Sequence, residues 1–196
     1  MRAIKQVAWC AMAILFSFGL AACSPSPDVV QESEDEPAEP QATASIVFEN
    51  EQFGIHFELP PEYKYGTAKA ANDGEQQVFF SSDADNNHVE VFLRDLSYDP
   101  VFDDDVTWSH AYLQSLRLLL SSRDEAIETA EGRRLSIDGK SCSGVYAKSN
   151  SADKESHREY LFLSQGKKGL CVGLTTHSEE ALKKLEQALN IKAADK

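Results

Sequence analysis

Leu135-Ser136-Ile137-Asp138-Gly139-Lys140-Ser141-Cys142-Ser143-Gly144-Val145-Tyr146-Ala147-Lys148 is the stretch whose reading decides the fold. Two strand-like runs, 135–137 and 141–148, flank Asp138-Gly139, a dipeptide that accepts the positive φ angles of a tight hairpin turn. Antiparallel pairing follows from so short a connection. Downstream, residues 159–165 and 170–176 read as two more strands joined by Gly166-Lys167-Lys168-Gly169. Upstream, residues 45–49 and 53–59 are strand-like on either side of Asn50-Glu51-Gln52, and Pro60-Pro61 stops the second. A short strand is expected over 63–67, a turn at Asn72-Asp73-Gly74, and a hairpin of 76–81 with 88–97 across the loop 82–87.

The period changes after that hairpin. Trp108, Tyr112, Leu113, Leu116, Leu119 and Leu120 recur at helical spacing, with Asp103-Asp104-Asp105 at the N-terminal end, where carboxylates cap the chain and oppose the dipole. Residues 127–130 fit either an extension of this helix or a strand. A second helix is expected to start near Ser178, with Glu179 and Glu180 in its first turn and Leu182, Leu185 and Leu189 buried. Many short-linked strands with one helix interposed and one at the end imply an α+β fold, a mainly antiparallel β-sheet flanked by helices.

This order of elements resembles the PsbP-like superfamily, which includes DcrB-type envelope lipoproteins. The resemblance covers about residues 46–192 and rests on Phe53-Gly54-Ile55-His56-Phe57-Glu58-Leu59-Pro60 and on Ile137-Asp138-Gly139-Lys140 before the closing strands and helix. Many relatives carry Pro-x-x-Trp after the opening strand, where this chain has Pro60-Pro61-Glu62-Tyr63. The resemblance implies an αβα sandwich serving as a binding or assembly module, and it transfers no catalytic or metal-binding residue.

Residues 1–22 read as an export signal: Arg2 and Lys5 precede an apolar run containing Trp9, Ile14, Leu15 and Phe16. The uncharged stretch is short of the roughly 20 residues that span a bilayer as a stable helix, and an acidic tract follows it. Leu20-Ala21-Ala22-Cys23 resembles a bacterial lipobox, which implies lipid attachment, including palmitate-type acyl chains, at Cys23. Each buried methylene of such chains contributes about 0.8 kcal/mol, so two or three chains anchor a protein stably. Cys10 is expected to leave with the signal. Ser24 stands where an Asp would resemble an inner-membrane retention signal, which points to the outer membrane, facing the periplasm.

Residues 23–44 follow as a tether. Its 24–44 portion holds Pro25, Pro27, Pro37 and Pro40, six acids and no Lys or Arg, a composition that buries too little to fold. Stretched out, it reaches at most about 70 Å. The remainder, 45–196, is expected to be a single α+β domain. The full chain has 19 Lys+Arg against 32 Asp+Glu, and losing Arg2 and Lys5 takes the net charge from -13 to -15. Nucleic acid is excluded as a partner on that ground, because phosphate binding needs cationic surface.

Chemistry-bearing motifs are sparse. Asp83-Ala84-Asp85-Asn86-Asn87 begins like a calcium loop, but an EF-hand needs Gly and Glu where this chain has His88 and Arg94, so an Asx turn is expected. His56, His88, His110, His157 and His177 sit singly on separate segments, without a zinc-type spacing. Ser141-Cys142-Ser143-Gly144 lies inside a strand, not a nucleophile elbow, and Gly166-Lys167-Lys168-Gly169 lacks the rest of a phosphate loop. No catalytic residue, metal ligand or cofactor is assigned. Aligning Leu163 with Val172, Leu161 with Leu174 and Val145 with Leu161 gathers aliphatic side chains on one face and sets Phe162 between Gly144 and Gly173. Cys142 and Cys171 then flank Ser164 about 10 Å apart, too far for a disulfide, so two unbridged thiols are expected.

The functional expectation is a non-enzymatic, membrane-tethered envelope lipoprotein with a protein partner. The alternatives are a domain binding a small ligand or divalent cation, for instance in a pocket beneath the Trp108 helix, and a hydrolase with a scattered site.

Overall fold

The computed structural model describes residues 45–67, 75–98, 104–123, 125–151 and 154–194. By internal contacts the chain separates into a unit Met1–Gln41 and a unit Ala42–Lys196, and the described residues all belong to the second. The export signal, Cys23 and the tether lie outside them, as do Asp103 and the Asn72-Asp73-Gly74 turn.

Strands β1 (Ile46–Asn50) and β2 (Ile55–Leu59) form a separate two-stranded antiparallel sheet. The other strands are β3 (Lys64–Tyr65), β4 (Glu75–Ser82), β5 (His88–Asp95), β6 (Ala126–Ile137), β7 (Lys140–Ser151), β8 (Lys154–Gln165), β9 (Lys168–Thr176) and β10 (Ile191–Ala193). They build one eight-stranded sheet in the order β10-β6-β7-β8-β9-β5-β4-β3, antiparallel at every pairing. Helices α1 (Asp105–Ser122) and α2 (Glu179–Ala188) lie on opposite faces. The fold is α+β, a mainly antiparallel sheet flanked by helices.

The expected strands are present with shifted ends. The stretch 127–130, open in sequence between helix and strand, is strand, continuous with the first arm of the Asp138-Gly139 hairpin. That turn has φ of 47° at Asp138 and 74° at Gly139, the left-handed pair that this dipeptide tolerates. Expected strand 63–67 shrinks to β3, and β5 ends in a short 3-10 turn, Leu96–Tyr98.

Two cores result. Beneath α1, Trp108, Leu113, Leu116 and Leu120 meet Val145, Tyr160, Phe162 and Cys171. Trp108 packs edge-on to Phe162 with centroids 4.9 Å apart. On the other face, Leu182, Leu185 and Leu189 join Phe48, Phe57 and Leu59 of the small hairpin over Leu135, Leu161, Val172 and Leu174. Both helices start as the sequence requires. Asp104 accepts a hydrogen bond from the Thr107 backbone N–H at 2.7 Å, and Ser178 accepts from Ala181 N–H at 3.1 Å.

Two expectations fail. Leu119, placed on the buried stripe, is 45% exposed, beside Leu118 at 73%. At about 100° per residue Leu119 lies within about 20° of Trp108, which is buried three turns earlier, so the periodicity placed it on the correct face and its exposure comes from its place along the helix, where that edge of the stripe is left uncovered. The strand register also differs. Leu163 pairs with Leu170 and Leu161 with Val172, because the β8–β9 turn is the two residues Gly166-Lys167, with Gln165 opposite Lys168 and Gly166 at φ 61°. Across β7 and β8, Leu161 faces Gly144 and Val145 faces Tyr160. Phe162 therefore lies between Ser143 and Cys171, and Tyr160 between Val145 and Gly173.

Candidate functional site

The central strands carry ionisable side chains on both faces, and the densest group sits on the α2 side of β6, β7 and β8. The two-residue alternation that points Leu161 into this core also points Glu159 and His157 to the same face. Antiparallel pairing brings Tyr146 opposite Glu159 and Lys148 opposite His157.

Glu159 is fully buried. Its Oε1 accepts from Arg133 Nη1 at 3.4 Å, whereas Oε2 has no donor. The Arg133 guanidinium also donates from Nε to Glu131 at 2.9 Å and lies 3.9 Å over the Tyr146 ring. Burial, and then the neighbouring Glu186 of α2, push the Glu159 carboxyl well above the ordinary carboxylate range, outweighing Arg133. The orphaned Oε2 and the nearby carboxylate have one physical resolution. As two anions both would be acceptors only, whereas a protonated Glu159 carries a donor and removes the repulsion from Glu186.

Beyond it, the Tyr146 hydroxyl lies 2.9 Å from His157 Nδ1, and His157 Nε2 bonds Glu155. Lys148 bridges Glu155 at 3.4 Å and Glu128 at 2.9 Å, and the His157 hydrogen bond, followed by Lys148, holds the Glu155 carboxyl down. On the α1 face, Arg158 donates to Glu125 at 3.0 Å and to Ser149 at 2.7 Å, and Ser149 donates to Glu125 at 2.7 Å. Burial raises the Glu125 carboxyl, but Ser149 and Arg158 outweigh it and the net shift is downward. A cavity of about 430 Å³ outside the Glu159 cluster is lined by Arg133, Arg134, Glu186 and Lys192, and Glu159 itself does not reach it.

The residues singled out in sequence are dispersed. Asp83 Oδ1 accepts from the N–H groups of Asp85 and Asn87 at 2.9 Å each, and its Oδ2 from the Asn87 side chain at 2.7 Å, so this loop is an Asx turn held by its own residues. Of the five histidines, His157 joins the polar cluster, and its buried position in the charged half of β8 is not marked by local sequence. Among the described residues no group of three or more His, Cys, Asp and Glu is placed to hold a metal ion. Ser143 donates to Asp105 at 2.7 Å, next to Arg134. The space beneath the Trp108 helix is filled, with the indole directly over Gly169.

Cys142 and Cys171 are both free and buried, but not for the reason the register suggested. They do not flank Ser164. Cys142 faces the α2 core and Cys171 the α1 core, so the sheet itself lies between them. Burial pushes the Cys142 thiol up to about 12 and Cys171 well above its ordinary value, so neither is a reactive thiolate.

The sequence matches no protein-family model and no curated protein. Among solved structures it is similar to the solution structure of cyanobacterial PsbP (CyanoP) from Synechocystis, at 13% identity and a TM-score of 0.49, over 78% of this chain and 94% of that one. It is also similar to a crystal structure from Bacteroides thetaiotaomicron, at 9% identity and a TM-score of 0.37, over 72% of this chain and 46% of that one.

Proposed function

We propose that this chain is a non-enzymatic envelope lipoprotein, anchored through Cys23 and holding a protein-binding or assembly domain on an acidic tether, facing the periplasm from the outer membrane. One observation carries the reading: Leu20-Ala21-Ala22-Cys23 and a proline-rich acidic segment come immediately before a separately compact unit that begins at Ala42. Support for a binding role comes from how the buried ionisable groups are used. Glu159, His157 and Arg158 each bond to another strand of the sheet or to Glu125 immediately before β6, so they hold strands together and do not converge on an open cleft. Among the described residues no helix is long and apolar enough to cross a membrane.

Two measurements test the proposal. Cys23→Ser is expected to abolish lipid labelling and to leave an unprocessed or soluble form, and normal acylation of that variant defeats the anchor. Crosslinking in cells carrying the lipidated protein is expected to recover a discrete envelope protein. Failure to recover one from correctly anchored protein defeats the binding role.

A further inference from the structure

Among the described residues, β6 carries the longest stretch of sheet edge without a neighbouring strand. Strand β10 pairs only with Leu135, Ser136 and Ile137, and Ala194 N–H reaches the Arg134 carbonyl. Residues 126–133 of β6 have β7 on one side and no strand on the other among the described residues. A bulge interrupts the β6–β7 pairing between Ile127 and Thr129, which leaves residues 129–133, roughly 17 Å of regular strand edge at about 3.4 Å per residue. Since the Arg134 carbonyl points outward, so do the backbone groups of Gly132 and Ala130, two and four residues earlier. The Ala130 carbonyl is met there by Arg117 of α1. Glycine at 132 leaves its side of the margin without a side chain.

The flank is unlike the rest of the molecule. The stretch 106–123 contains no Asp or Glu, in a chain with 32 of them, while Arg117 and the 73%-exposed Leu118 stand on its outer side. Glu128 and Glu131 of the margin are already paired, with Lys148 and Arg133. Among the described residues Arg117 is held by a backbone carbonyl and by no carboxylate.

We propose that this margin is the docking site of the partner, which adds an extended acidic segment to β6 as a ninth strand. The inference rests on the protein-binding reading and specifies its surface. An added strand would take over the Ala130 carbonyl from Arg117, and the released guanidinium would then lie beside the incoming chain, where a carboxylate pairs with it. A lipid surface cannot supply the alternating donors and acceptors that a strand edge needs. A second copy would bring its own Arg117 to the same seam, cation against cation.

The test is site-specific photocrosslinking in cells, using the full lipidated chain with the photoreactive residue at Glu131 or, separately, at Lys184 on the outer side of α2. Adducts from 131 are expected to contain an acidic, extended segment of another envelope protein when the crosslinked peptide is sequenced by mass spectrometry. They are expected to fall at least tenfold in Gly132→Pro, which removes an outward N–H. Arg117→Glu, which keeps the strand intact and reverses the flanking charge, is expected to have the same effect and covers a folding defect in the first variant. Adducts to residues 24–44 of the same chain, to a second copy, to lipid or to a basic segment overturn the proposal. Adducts from Lys184 alone overturn it and leave the protein-binding reading standing, and adducts from neither position defeat both.

Discussion

Replacing Glu159 with Gln should remove a penalty that grows with pH. In the folded protein Glu159 keeps its proton well above its ordinary value of 4.5, because burial and Glu186 both oppose the anion. The unfolded chain gives that proton up near the ordinary value. Between the two, the folded state binds one more proton than the unfolded state, so stability falls as pH rises and the loss is complete above the folded pKa. One full proton corresponds to about 1.4 kcal/mol per pH unit, or about 2.7 kcal/mol between pH 5 and pH 7. Gln keeps the shape and a donor but does not titrate. Urea unfolding of the soluble domain, residues 45–196, should therefore give a wild-type-minus-variant difference that changes in the variant's favour by up to about that amount across this range. Taking the difference cancels the carboxylates common to both proteins, including Glu125 and Glu155, whose lowered values act with the opposite sign. A flat difference between pH 5 and pH 8 would refute the neutral Glu159.

Gly169→Ala should destabilise the domain by about 1–3 kcal/mol, read by thermal or urea unfolding. A Cβ there would stand 2.5 Å from Trp108 Cζ3, whereas the same substitution at Gly132 meets nothing closer than 3.9 Å and should be nearly silent. Alkylation of the soluble domain under denaturing, non-reducing conditions should add two labels by intact mass, and alkylation of the native protein at neutral pH should be slow, because both thiols are buried and held protonated. Absence of label after denaturation would mean a disulfide and a different strand arrangement.

Local chemistry was enough to read the elements. Asp138-Gly139 specified its hairpin because few dipeptides accept two positive φ angles, and Asp104 and Ser178 marked helix starts because each satisfies a backbone N–H that the helix leaves open. The α+β class follows from those signals alone. Register does not. Tyr160-Leu161-Phe162-Leu163 is apolar at every position, because both faces of the central sheet are covered, one by α1 and the other by α2 with the β1–β2 hairpin. Without polar–apolar alternation, pairing patterns one or two residues apart look equally good, and a shift of one moves Val145 from one core to the other.

The polar cluster was hidden for the same reason. Glu159 and His157 are ordinary residues of a strand until the fold places β6, β7 and α2 around them, and nothing near them in sequence announces that Arg133 or Glu186 will be the neighbour. The open margin of β6 is likewise a property of strand order, since it depends on β10 ending at Ala193. By itself the sequence determined what is encoded within a few residues: the turns, the caps and the fold class. Tertiary structure alone decided which face each central side chain occupies, that the two cysteines lie on opposite sides of the sheet, and which carboxyl burial pushes upward, because these depend on contacts between strands and helices far apart in the chain.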